Sequence, residues 1–310
     1  MSKKYNLSFI AGIVGFLFLF LISVCGPWVA SHFLTEKMEV GSILVDGEYM
    51  LRTPPLSPFE YKDFLLGTDR WGYDILSKML NGARYTFFVS LTIAGLRTVL
   101  GGLAGLYLGM RSSVPAWWLA IEDAASYLPA FLVVYFILLP LSMNSPLTIG
   151  YLVILLILLV TGLGIPAAAS SIRKKTNEIK KMDFIEASKS LGAGKSRILF
   201  KHIIPQLRDP IVVLFLTEVV AVLTLLGILG LFNIFVGGTE VQYDDDNIIF
   251  LSITNDWAGL TGQARSNLQY NRWILFMPLV GLLLMIGSFS LLVRGWKQRI
   301  ENLYKKPPWI

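Results

Sequence analysis

Asp183–Pro205 reads DFIEASKSLGAGKSRILFKHIIP, a polar and basic stretch of 23 residues set between two long apolar runs. Asp183 followed three residues later by Glu186 is a helix-start pattern, in which the Asp side chain caps free N–H groups and the Glu reaches back. Phe184, Ile185, Ala187, Ser188 and Leu191 then share one apolar or small face. Gly192 ends that helix, because glycine takes the left-handed turn at low cost. A second short helix is expected over 193–204, with Ile198, Leu199 and Ile203 on one side and Pro205 stopping or kinking it. Helices this short are unstable alone in water. Their apolar faces must be covered by the rest of the chain or by a partner. Gly194-Lys195-Ser196 mimics the end of a phosphate-binding loop, but the position that needs the loop's first glycine is Lys189. No strand precedes it either, so no nucleotide site is read here.

Beyond this stretch the composition is that of a membrane protein. Of 310 residues 54% are hydrophobic and 15% charged, and the mean hydropathy is +0.61, above the apolar share of a soluble domain. The lone Cys25 excludes a disulfide within the chain. His32 and His202 fall in unrelated places, so neither a metal site nor a cofactor is expected. The net charge of +6 sits beside apolar runs, which is the positive-inside pattern of a bilayer protein rather than the footprint of a nucleic-acid partner.

Six apolar runs are long enough to cross about 30 Å of hydrocarbon. They cover Phe9–Ser31, Tyr85–Met110, Trp117–Leu141, Leu147–Ala169, Ile211–Val236 and Trp273–Val293. The first exceeds the usual 7–15-residue core of a signal peptide, so it is read as a retained helix preceded by Lys3 and Lys4. Gly101, Gly105 and Gly109 recur every four residues and make one helix face that permits close approach. Glu122 and Asp123 are read as exposed near the inner surface. The segment Arg173–Arg208 holds ten Lys or Arg against Glu178, Asp183 and Glu186, and is cytoplasmic on that bias. The segment after the fifth run is acidic, with Glu240, Asp244, Asp245, Asp246 and Asp256, and lacks calcium-loop spacing; it is read as a solvated outer loop. Gly162-Leu163-Gly164 mimics a dinucleotide fingerprint inside a membrane helix and carries no cofactor meaning. The expectation is an all-α integral membrane protein of six transmembrane helices with both termini cytoplasmic.

Glu186-Ala187-Ser188, Gly192 and Pro205 resemble the EAA loop of the permease subunits of binding-protein-dependent ABC importers: Glu-Ala-Ala, three residues, Gly, nine residues, then Ile-x-Leu-Pro. Ser188, His202 and Ile204 depart from that pattern, while the spacing to Gly192 and Pro205 is intact. A second stretch, Leu66-Gly67-Thr68-Asp69-Arg70-Trp71-Gly72-Tyr73-Asp74, resembles the GTD-x-x-G-R-D segment of the oligopeptide, dipeptide and nickel branch. Tyr73 replaces the family's Arg, Lys78 stands for a second Arg, and Gly82-Ala83-Arg84 fits the continuation. Asp123 with Pro129, and Trp257, are similar to further positions of that branch. Physically, Thr68 or Asp69 can cap a short amphipathic helix at the membrane surface, or the motif is a structural turn. The likeness covers roughly residues 64–300.

The resemblance implies the type I importer (MetI-like) permease fold in a bacterial cytoplasmic membrane. The apolar runs, the charge bias and the two motifs together divide the chain into a first helix over 1–31, an extracytoplasmic loop over 32–83 carrying Gly67, Thr68, Asp69, Gly72 and Asp74, a permease core over 84–294 and a cytoplasmic tail over 295–310. The resemblance implies a transport subunit for peptides or nickel, without an ATPase site of its own. The partners it implies are a second, related permease, two cytoplasmic ATPases, an extracytoplasmic substrate-binding protein and the bilayer. Glu186, Ala187, Ser188, Gly192, Lys195, Arg197 and Pro205 are the residues expected to couple to the ATPases. The competing classes are an ATP-independent channel, a structural membrane protein and a membrane-embedded enzyme; the last lacks HExxH, GxSxG and paired intramembrane aspartates in this sequence.

Two charges stand where the family pattern has small or neutral residues. Arg97 lies 13 residues before Met110, roughly 20 Å from that helix end, and Glu218 lies seven residues after Ile211, roughly 10 Å into its span. An unpaired charge at such depth costs at least ~2.5 kcal/mol. One reading is a pair across the second and fifth spans beside the pathway, helped by the reach of the Arg stem. The other is that each finds a backbone carbonyl, water or a neighbour in the partner subunit.

Overall fold

A computed structural model describes residues 7–304 apart from 33, 35, 39, 46, 47, 245 and 246. Lys3, Lys4, Asp245, Asp246, Lys305 and Lys306 lie outside the described residues. The order is α1 (Leu7–Val29), β1 (Gly41–Val45), β2 (Glu48–Arg52), α2 (Ile75–Met110), α3 (Ala116–Tyr127), α4 (Ala130–Ser142), α5 (Ile149–Lys180), α6 (Asp183–Ser190), α7 (Lys195–Ile198), α8 (Ile204–Leu231), β3 (Thr239–Asp244), β4 (Asn247–Ser252), α9 (Trp257–Gln263) and α10 (Arg272–Tyr304). A π-turn over Leu199–Ile203 joins α7 to α8, and a 3₁₀ turn over Ala264–Leu268 follows α9.

Among the described residues five helices are long and apolar enough to cross a bilayer: α1, α2, α5, the run Lys195–Leu231 and α10. The sixth span is broken. α3 and α4 meet at 83° across Leu128 and Pro129. Proline disfavours helical geometry in the residue before it, and Leu128 is accordingly extended, at φ −83° and ψ 120°. The straight helix expected over Trp117–Leu141 is therefore two helices.

Several helices outrun their apolar cores. α2 begins at Ile75 rather than Tyr85, and α5 continues to Lys180, well past Ala169. The glycine face of α2 explains how these two pack. A Cβ on Gly101 would meet Ala168, one on Gly105 would meet Ala169 and Ile172, and one on Gly109 would meet Thr176. The backbones therefore approach as small-residue faces allow. Phe87, Ile93, Val134, Val160, Leu223 and Phe289 form the main buried core between the helices.

Two antiparallel hairpins, β1–β2 and β3–β4, lie outside the spans. The second leads into α9, which packs back into the outer end of the bundle: a Cβ on Gly262 would run into the Gly230 backbone of α8, and one on Gly82 of α2 into the Asn255 carbonyl. Asp256 is 1% exposed and caps α9 by accepting from the Gly259 N–H at 2.8 Å. Ser252 and Thr254 also donate to it, at 2.7 and 3.3 Å. Asp256 thus does not belong to a solvated loop. Burial raises its carboxyl above the ordinary value, against the pull of the donors around it.

Candidate functional site

Three groups of residues stand out: the loop over Asp183–Pro205, the turn over Gly67–Asp74 and an intramembrane charge centre. In the loop, α6 starts at Asp183 itself. Met182 occupies the cap position and no side-chain capping bond forms, so the expected Asp183–Glu186 box is absent. Gly192 has φ +82°, the left-handed turn that ends α6, and its N–H donates to the Lys189 carbonyl at 2.9 Å. Pro205 does not stop the second helix. The ring of Pro205 cannot fit against a regular i−4 carbonyl. The preceding five residues widen into a π-turn, with the Ile204 N–H donating to the Leu199 carbonyl, and the helix runs on into α8.

The loop is anchored on one side only. Ile185, Ile198, Ile203 and Leu207 pack with Ile172 and Ile179 of α5. Ser188 Oγ lies 3.4 Å from His202 Nε2, which ties the two short helices together. Lys180 Nζ donates to the Gly109 carbonyl at 2.8 Å and fastens the loop's root to α2. The outer face is bare: Leu191 is 89% and Phe200 68% exposed. Glu186, Ala187, Gly192, Lys195, Arg197 and Pro205 are exposed on the same module. Among the described residues Glu186, Lys195 and Arg197 make no ion pair.

The outer turn is a fold element. Gly67 and Gly72 take φ +75° and +87°. Thr68, fully buried, accepts from the Leu56 N–H at 2.9 Å. Asp69 Oδ1 accepts from the Trp71 and Tyr73 N–H groups, and Oδ2 from Lys78 Nζ at 2.6 Å. Asp74 is the N-cap of α2, accepting from the N–H groups of Leu76 and Ser77 and from Ser77 Oγ. The capping role expected for Thr68 or Asp69 on a surface helix belongs instead to Asp74 on a spanning helix.

The charge centre joins three helices. Arg97 Nη1 donates to Glu218 Oε2 at 2.9 Å, and Nε and Nη2 donate to the Val160 carbonyl at 3.1 and 2.7 Å. α2, α5 and α8 therefore share one guanidinium: the two charges meet, and Arg97 has a backbone acceptor besides. Both side chains are largely buried, at 8% and 12% exposure. Gly164 admits the guanidinium, because a Cβ there would run into Arg97. Beside the centre, Thr217, Ala221 and Thr224 of α8 are exposed, a small and weakly polar stripe within a spanning helix.

A second buried pair escaped the sequence reading. Glu122 is not exposed near the surface: it accepts from Arg173 Nη2 at 2.6 Å and from Trp118 Nε1 at 2.7 Å. Its partner is 51 residues away, and only the i, i+4 spacing to Trp118 was readable locally. Among the described residues no group of His, Cys, Asp and Glu is arranged to hold a metal ion.

Comparison with known proteins shows the family. The family described as "binding-protein-dependent transport system inner membrane component" matches residues 98–305. The chain is 26% identical to the dipeptide transport system permease protein DppC of Haemophilus influenzae, over 98% of this chain and 93% of that protein. It is 24% identical to the di/tripeptide transport system permease protein DppC of Pseudomonas aeruginosa, over 94% and 88%. It is 25% identical to the oligopeptide transport system permease protein OppC of Mycobacterium bovis, over 60% and 67%.

Proposed function

The chain belongs to the inner membrane components of binding-protein-dependent transport systems, and from that premise we propose that it carries peptides as one half of a two-permease path. The peptide reading rests on relatives named for dipeptides, di/tripeptides and oligopeptides. The pairing rests on uncovered surface. On α3 only Glu122 is buried, and Tyr127 and Phe136 beyond it are 86% and 68% exposed. The exposed stripe Thr217, Ala221 and Thr224 of α8 adds small and weakly polar surface, against which a related subunit closes a water-filled path.

The observation that carries the coupling role is the one-sided anchoring of the loop. Its isoleucines fix it to α5, while Leu191, Phe200, Glu186, Lys195 and Arg197 are presented outward. A cytoplasmic ATPase covers that face, one on each of the two permeases. ATP-driven closure of the ATPase pair draws the loops together, and the helix that leaves the loop as α8 carries the shift to the outer end, the rocking motion of an alternating-access transporter. ATP hydrolysis is the partners' chemistry.

The test is uptake of labelled di- and oligopeptides, and separately of nickel, by cells with and without the chain. Peptide uptake is expected to fall to background without it and to need ATP, with nickel uptake unchanged. Peptide uptake that persists without the chain, or that proceeds through it without ATP, refutes the assignment.

A further inference from the structure

Near the outer end of the seam between α1 and α2 lies an open groove of about 560 Å³, lined by Ser23, Val24, Arg84, Tyr85, Phe88 and Val89. We propose that this groove binds an anionic phospholipid, with Arg84 holding the phosphate and the apolar wall holding an acyl chain. The proposal needs only the membrane placement of the chain and is independent of its cargo.

The depth of Arg84 is fixed by two contacts. The His32 N–H donates to Ser77 Oγ at 3.2 Å, and Ser23 Oγ reaches the Ala83 carbonyl at 3.5 Å. The outer end of α1 is therefore level with the first turn of α2, and Trp28, 80% exposed, marks the interface where tryptophan gathers. Arg84 lies nine residues into α2, roughly 14 Å below its start. Helical side chains tilt toward the N-terminus, which for α2 points outward, so the guanidinium rises from this depth toward the headgroups.

Arg84 is also unpaired. It is exposed, forms no ion pair among the described residues, and has as its neighbour the Tyr85 ring, 5.0 Å from Cζ. Other charges near the membrane interior are matched: Arg97 by Glu218, Arg173 by Glu122. Arg84 stands just outside the apolar run that begins at Tyr85, at the level of the headgroups, where a lipid phosphate is the complementary group that the surroundings supply. Below it the wall turns apolar. Phe88 is 41% exposed, and on the neighbouring face of α1 Leu17, Phe18 and Leu21 are 51%, 59% and 57% exposed. A cation above an apolar slot matches a phosphate above a chain.

The experiment isolates the assembled transporter from membranes containing phosphatidylglycerol and phosphatidylcholine and weighs the retained lipid by native mass spectrometry. Wild type is expected to retain phosphatidylglycerol preferentially. Arg84→Gln should retain about fivefold less, the value of one basic residue toward an anionic lipid, and Arg84→Lys should keep most of it. Val24→Trp, which fills the groove and leaves the charge, should also lower retention, and it serves if Arg84→Gln does not assemble. Equal retention by wild type, Arg84→Gln and Val24→Trp overturns the proposal. So does loss of the second permease from Arg84→Gln with lipid retention unchanged, which would make Arg84 a subunit contact.

Discussion

Arg97 and Glu218 invite a double-substitution experiment whose outcome follows from their geometry. Glu218→Gln keeps an acceptor oxygen near Arg97 Nη1, and Arg97 keeps its two bonds to the Val160 carbonyl. The buried Arg97 cation loses its anion, a cost of at least about 2.5 kcal/mol, held below that of the Arg97 variant by those two remaining bonds. Arg97→Gln removes all three bonds and leaves Glu218 without its cation, so its cost should reach about 3–5 kcal/mol, as for a broken buried pair. In the double variant neither charge is left uncompensated. Its destabilisation should therefore fall short of the sum of the singles by about 2 kcal/mol, a coupling typical of residues in contact. The cycle is measured on the reconstituted transporter by resistance to unfolding, with peptide uptake as a second readout. Arg97→Gln should lose most uptake, and adding Glu218→Gln should restore part of it. Additivity within about 0.5 kcal/mol, or a double variant no better than the worse single one in uptake, refutes the pairing argument.

Three further outcomes are expected. Gly164→Ala should mimic Arg97→Gln in uptake, because its methyl occupies the guanidinium's place; unchanged uptake would show that the guanidinium does not need its present position. Gly192→Val should abolish uptake while leaving the subunit in the membrane, since a β-branched residue resists φ +82°, although a Cβ there meets nothing in this chain; undiminished uptake would remove the loop from the coupling path. Asp74→Ala should cost about 1 kcal/mol of stability, as loss of an N-cap does, read as a lower melting temperature in membranes; Asp74→Ser should recover most of it, and no change in either would deny the cap.

The spans were legible because hydropathy and charge bias act residue by residue, and bilayer thickness converts them directly into helices. The turn that ends α6 was legible for a similar reason, since its glycine is a local signal. What escaped was pairing across distance. Glu122 looked like an interface residue because nothing near it in the sequence names Arg173. α9 is seven residues long, too short to show a helical period, and Asp256 sat among acidic neighbours that hid its buried capping role. The π-turn escaped because proline's local rule says stop, whereas a widened turn satisfies the same steric demand and lets the helix continue. Arg97 and Glu218 were singled out by cost alone: charge at depth requires compensation, even though the Val160 carbonyl and the space at Gly164 were not foreseen.

That continuing helix has a mechanical consequence. From Lys195 to Leu231 the chain is one rod, pinned to α2 through Glu218. The pin lies 23 residues from one end and 13 from the other, arms of about 35 and 20 Å at 1.5 Å per residue. A rod pivoting at that point is a lever of unequal arms, so a sideways step of about 5 Å at the cytoplasmic loop becomes about 3 Å at Leu231, in the opposite sense. Gly230, beside that end, abuts Gly262 of α9, so drawing two loops together inside would spread two outer ends apart. The same bonds that neutralise a buried charge would then set where the membrane opens.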